Sequence, residues 1–112
     1  MDSCLFCRII AGEIPGDFVL QEDDVVAFRD VNPKAPVHVL VVPRMHVSSV
    51  SELARTSPAI LAAMADAAQR IADAETGGHF RWIFNTGENA GQTVFHVHGH
   101  VLGGGTLGWS PA

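Results

Sequence analysis

Apolar and polar positions along the chain follow two periods. Phe18-Val19-Leu20-Gln21-Glu22 and Val25-Val26-Ala27-Phe28 flank the acidic pair Asp23-Asp24 and read as a β-hairpin. Asn32-Pro33 and Ala35-Pro36 break the chain, because proline lacks an N–H and restricts the residue before it. Val37-His38-Val39-Leu40-Val41-Val42 then forms a β-branched strand that Pro43 stops. Further on the period changes. Leu61, Met64, Ala68 and Ile71 recur at helical spacing behind Ser57-Pro58, a cap followed by proline at the first helical position. Thr76-Gly77-Gly78 allows a left-handed end to that helix. Arg81-Trp82-Ile83-Phe84-Asn85 is expected as a strand, Thr86 to Gly91 as a polar loop, and Val94 to Leu102 as the last strand, closed by Gly103-Gly104-Gly105. Five strands around one main helix predict an α+β fold with an antiparallel sheet, in a single domain spanning 1–112.

Charge narrows the candidate partners. Seven basic and 12 acidic residues give a net charge of −5, with Lys34 the sole lysine and no basic cluster. Neither nucleic acid nor an anionic membrane is expected as a partner. No apolar run approaches the ~18 residues of a membrane span. Met1-Asp2-Ser3-Cys4 lacks the basic flank and apolar stretch of a signal peptide, so a cytoplasmic location is expected. In a reducing compartment Cys4-x-x-Cys7 is open to three readings: a redox pair, two incidental buried thiols, or half of a zinc site. A thioredoxin-like pair needs a strand before it, and three residues leave no room for one.

The most informative stretch is His96-Val97-His98-Gly99-His100-Val101-Leu102. Side chains alternate along a strand, so His96, His98 and His100 are expected on one face, along ~13 Å. An ordinary solvated face would mix Thr, Lys, Glu and Ser; three imidazoles call for chemistry. Two chemistries compete. His98 and His100 can hold a catalytic metal together with His38 or His46 from another strand. Alternatively, one neutral imidazole attacks phosphorus while its neighbours donate to the phosphate oxygens. The preceding loop supplies Gly87, Gly91 and Thr93, whose amides and hydroxyl suit a phosphate, and this favours the second chemistry.

The run from Gly91 to Gly104, with Cys4-Leu5-Phe6-Cys7-Arg8-Ile9-Ile10, Glu13-Ile14-Pro15, Phe28-Arg29-Asp30-Val31-Asn32-Pro33, Ala35 to His46, Asn85 and Trp109, resembles the histidine triad (HIT) superfamily. It is most similar to the Hint branch in its bacterial zinc-containing form, and the resemblance covers nearly the whole chain. It implies a five-stranded antiparallel sheet with one main helix and a short N-terminal helix. It also implies a purine nucleoside phosphoramidate hydrolase that acts at the α-phosphorus, through a nucleotidyl-histidine intermediate, and releases AMP or GMP. By position, His98 is then the nucleophile, His100 a phosphate donor, and His38 the residue that fixes ring orientation and tautomer. Thr93 lies beside the leaving group or a phosphate oxygen, with Asn85 and the Gly91 backbone completing the cradle. Asp30 takes the ribose hydroxyls, and Phe6, Ile9, Ile14, Phe28 and Val31 form the base slot, as a carboxylate and apolar faces suit these groups. The resemblance adds His46 and His96 to Cys4 and Cys7 as ligands of a structural zinc, with no metal needed for catalysis, and implies a homodimer. The alternatives are a nucleotide-binding regulatory module with incidental turnover, a dinucleoside polyphosphate hydrolase, and a hydrolase using the triad as metal ligands.

This chain departs from the family pattern at three places. Gly99 stands where relatives carry a bulky apolar residue; a strand glycine costs roughly 0.5–1 kcal/mol and leaves nothing to pack on the opposite face. Thr93 replaces the serine common in the Hint branch and keeps the hydroxyl. Gly108, immediately before Trp109, lacks the side chain that some relatives place there, so substrate selectivity through the tail does not carry over from the resemblance. Against sister branches, His100 argues against the sugar-phosphate transferases, and the short Gly-rich tail with Trp109 argues against the dinucleoside polyphosphate hydrolases.

Overall fold

A computed structural model describes residues 3–109. A short helix α1 (Leu5–Ile10) precedes the hairpin β1 (Phe18–Gln21) and β2 (Val25–Arg29), then β3 (Val37–Pro43). Helices α2 (Val50–Thr56) and α3 (Pro58–Glu75) follow, then β4 (Phe80–Ile83), a 3-10 turn at Glu88–Ala90, and β5 (Gly99–Gly103). The strands form one antiparallel sheet in the order β1-β2-β3-β5-β4, so the last strand inserts beside β3 and β4 takes the edge.

Strand alternation sorts the core into two layers. Val25, Ala27, Val39, Val41 and Val101 face Met64, Ala67, Ala68 and Ile71 of α3. Val26, Phe28, Leu40 and Val42 face Phe6 and Ile9 of α1. Both faces of β2 and β3 are therefore covered, which explains their continuous apolar runs. The predicted α3 stripe is buried except for half-buried Leu61.

Several expected boundaries move. Ser57 precedes α3 with Pro58 at its first turn, but the Ser57 hydroxyl turns to the Met45 sulfur (3.6 Å) rather than capping the helix. Gly77 and Gly78 do end α3 with positive φ (65° and 84°), and the Gly78 N–H bonds back to the Ala72 carbonyl (3.0 Å). β4 begins one residue earlier than predicted and ends at Ile83. The last strand is shorter than predicted, because the ladder starts only at Gly99, opposite Val41. Two positions further along β3 stands Pro43, which has no N–H to offer, so 94–98 runs on without a ladder and Val97 bonds to Val47 instead (2.7 Å).

Gly99 is not a packing defect. The Trp82 indole and the Phe84 ring occupy the place of its missing side chain: a Cβ there would lie 2.7 Å from Trp82 Cε2 and 2.8 Å from Phe84 Cζ. The strand glycine is thus the partner of an aromatic pair in edge contact, with ring centroids 4.7 Å apart.

Candidate active site

Two clusters flank α1. The first joins the N-terminal segment to the loop after β3 and the arm before β5. Cys4 Sγ lies 3.5 Å from His96 Nδ1, and Cys7 Sγ lies 3.4 Å from His46 Nδ1 and 3.5 Å from His96 Nδ1. The two imidazole nitrogens are 3.2 Å apart. For tetrahedral zinc with ordinary Zn–S and Zn–N lengths, ligand atoms sit ~3.6 Å (S to N) and ~3.3 Å (N to N) apart, so this donor set fits the ion. The His96 Nε2–H donates to the Pro43 carbonyl (2.7 Å), which leaves Nδ1 as the ligating atom, with its orientation held from the far side. Burial, with the Cys4 thiol beside it, pushes the Cys7 thiol up to about 11, so a cation must displace its proton on binding.

The second cluster is a chain of imidazoles. The His98 Nδ1–H donates to the carbonyl of His96 (2.8 Å), so its Nε2 carries the free lone pair. The Lys34 backbone N–H donates to His38 Nδ1 (3.0 Å), which puts the His38 proton on Nε2. That proton faces His100 Nδ1 at 2.9 Å, with an Asp30 carboxylate oxygen at 3.4 Å. His100 is therefore an acceptor at Nδ1 and a donor at Nε2. One neutral tautomer per ring satisfies the whole array. Burial lowers His38, His96 and His98 below the usual imidazole range. Burial, with His98 and His38 close by, pushes His100 down to about 4.

Side-chain sidedness outlasts the β5 ladder. Val97 and Val101 enter the α3 core, while His96 and His98 contact Phe6 on the other side. The Phe6 ring meets His98 edge-on (centroids 4.9 Å, 82°) and packs on Phe28 at 5.3 Å, so α1 sets the His98 ring plane. In front of His98 and His100 opens a cleft of about 630 Å³, walled by Phe6, Ile9, Ile14, Phe28 and Val31, with Asp30, Gly91 and Thr93 at its polar end. A second cavity of about 570 Å³ adjoins it and shares Asp30, Gly91 and His100; His38, Lys34, Arg81 and Asn85 line it too.

Residues 11–107 match the HIT domain family. The chain belongs to the HIT family. It is 40% identical over 111 residues to the purine nucleoside phosphoramidase of Escherichia coli K12, covering 96% of this chain and 92% of that protein. Among solved structures, the HIT family hydrolase of Legionella pneumophila superposes with a TM-score of 0.92 at 37% identity, covering 98% of this chain and 100% of that one. A Zn-bound histidine triad family protein from Mycobacterium smegmatis superposes at 0.79 with 36% identity, covering 91% of this chain and 75% of that one.

The residues predicted for the HIT site fall into three groups. Cys4, Cys7, His46 and His96 converge as one cluster that can hold a metal ion. Asp30, Gly91, Thr93, His98, His100 and the five apolar residues line the larger cleft, and His38 and Asn85 stand in the adjoining cavity. Asn85 also holds the loop: its side-chain amide donates to the Ala90 carbonyl (2.9 Å). Sequence reasoning passed over Gln92. This side chain is buried and staples the glycine loop, accepting from the Gly87 N–H (2.9 Å) and donating to the carbonyls of Ser48 (2.8 Å) and Val94 (3.1 Å). Its only sequence signal is a long polar side chain set between Gly91 and a β-branched run.

Proposed function

We propose that this protein hydrolyses purine nucleoside 5′-phosphoramidates through a covalent intermediate on His98. The observation that carries the reading is the tautomer array: a buried imidazole with its Nδ1 proton committed to a carbonyl presents Nε2 to the cleft as a nucleophile. The phosphoramidase name of the E. coli relative supports the same chemistry.

The apolar slot receives the purine, and the Asp30 carboxylate accepts from the ribose hydroxyls. His98 Nε2 attacks the α-phosphorus, a P–N bond to the imidazole forms, and the bond to the leaving amine breaks. The amine takes its proton from water at the open mouth. The His100 Nε2–H, the Thr93 hydroxyl and the Gly91 amide steady the charge on the phosphate oxygens, while His38 keeps the His100 donor edge turned outward. A second water, giving up its proton to the hydroxide left by the first step, then attacks phosphorus, releasing AMP and returning the lone pair to His98. No step calls for a metal, and the Cys4–Cys7–His46–His96 site is structural, because four protein ligands leave no open position. The protein works as a cytoplasmic homodimer, a reading supported by two free cysteines that converge with His46 and His96 rather than forming a disulfide, and by the exposed Ala59, Ala62 and Ala65 on α3.

The test is His98→Ala. Turnover of an adenosine phosphoramidate should fall to near background while AMP still binds, since Asp30 and the slot are untouched. Mass spectrometry of the quenched unmodified enzyme should show a nucleotidyl adduct on His98. Turnover by the variant close to that of the unmodified protein would exclude the covalent route.

A further inference from the structure

The cavity beyond His100 has a charge character that the nucleoside slot lacks. Arg8, Arg29 and Arg70 are neutralised by carboxylates at 2.8–3.8 Å. Among the described residues, Lys34, Arg44, Arg55 and Arg81 form no ion pair, and of these Lys34 and Arg81 line this cavity. Their recorded partners are uncharged. Lys34 Nζ donates to the Asn32 carbonyl (2.9 Å), and Arg81 Nη2 donates to the Gly108 carbonyl (2.9 Å) with its guanidinium 5.7 Å from the Trp109 ring centroid. The one acid here, Asp30, already accepts from the Asn32 N–H (2.8 Å) and lies 3.4 Å from His38 Nε2. In a chain of net charge −5, two cations that have no ion pair among the described residues and both line the far side of the reaction centre mark a place for an anion.

We propose that this cavity is a leaving-group subsite that selects substrates whose departing amine carries a negative charge, a carboxylate or a phosphate. The inference rests on the phosphoramidase reading and names its substrate class. Geometry supplies the direction: the slot and the cavity meet at His100 and Gly91, so a phosphate held there has the nucleoside on one side and the leaving group on the other. A carboxylate or phosphate in the cavity gains charge-assisted hydrogen bonds that an ammonium group would lose to repulsion.

Four adenosine 5′-phosphoramidates of similar length test this, with β-alanine, 2-aminoethyl phosphate, β-alaninamide and 1,3-diaminopropane as leaving amines. kcat/KM for the two anionic compounds should exceed that for the neutral amide by about tenfold, the worth of one charge-assisted hydrogen bond, with the cationic compound lowest. The gap should narrow with added salt. Lys34→Gln and Arg81→Gln should each shrink the ratio of anionic to neutral rates, and the ratio cancels any general loss of activity. Preference for both anions marks a general anion subsite; preference for the phosphate compound alone marks a phosphate site. Equal rates for all four charges, or a preference that survives both substitutions, overturns the proposal. Failure to cleave even the neutral amide would count against the phosphoramidase reading instead. Calorimetric titration of His98→Ala with the same four compounds then decides the subsite, and a flat affinity ranking rejects it.

Discussion

At the scale of single residues, the site is defined by where each proton sits. Three backbone groups anchor the array: the carbonyls of His96 and Pro43 and the N–H of Lys34. These are main-chain atoms, so changing the side chains at 34 or 43 leaves the tautomers in place. The cost is borne in acid. His100 binds its proton in the folded protein only near pH 4, whereas an unfolded imidazole does so near 6.5. Its contribution to stability is complete above pH 6.5 and is lost as pH falls toward 4, because the unfolded chain takes up a proton that the folded one refuses. Replacing His100 with Gln should flatten the fall in stability across this window, by at most about 1.4 kcal/mol per pH unit. Denaturant midpoints at pH 7, 6, 5 and 4 for both proteins check this; parallel curves would mean that His100 titrates normally.

At the scale of elements, Gly99 and Trp82 form a reciprocal pair across β4 and β5. Gly99→Ala should destabilise by about 1–3 kcal/mol, as overpacking does. Trp82→Leu frees that space, so the double variant should lose less than the sum of the two single changes, a coupling readable in a double-mutant cycle of urea melts. Trp82 Nε1 is buried and has no hydrogen-bond partner among the described residues, a desolvation cost that accompanies this close contact. None of this was legible from the sequence, where Gly99 read as a missing contact; the filling ring comes from a neighbouring strand. The strands themselves were legible, because the β-branched run ended by Pro43 and the alternating run ended by the glycines of 103–105 carry their own limits. Helix α2 was missed, because its seven residues carry only Val50, Leu53 and the small Ala54 as apolar positions. Its signal was present as a capping box, Ser49-x-x-Glu52, in which the Ser49 hydroxyl accepts the Glu52 N–H (3.3 Å). The triad was legible because sidedness persists where the ladder stops. Lys34, Arg81 and Gln92 were not, since nothing local distinguishes them from solvated residues.

At the scale of the whole molecule, β4 leaves an open sheet edge and α3 exposes its alanines, and both suit a second copy of the chain. Sedimentation at micromolar concentration should give twice the 11.9 kDa chain mass; a mass of one chain would exclude the dimer. The metal cluster should retain about one zinc per chain through purification, and Cys4→Ser should reduce that content. Chelation should lower the melting temperature, since an ion held by the folded state alone stabilises it by mass action.

Cys4 and His96 are 92 positions apart, so an ion between them is also a cross-link that closes nearly the entire polypeptide into a loop. Closing so long a loop early is entropically expensive, and contacts of this span form late on the way to the native state. Interactions absent from the transition state act on the escape rate alone. Zinc should therefore leave the refolding limb of a chevron nearly unchanged and slow the unfolding limb. The ion would then govern how long each molecule stays folded, and hardly at all how fast it arrives.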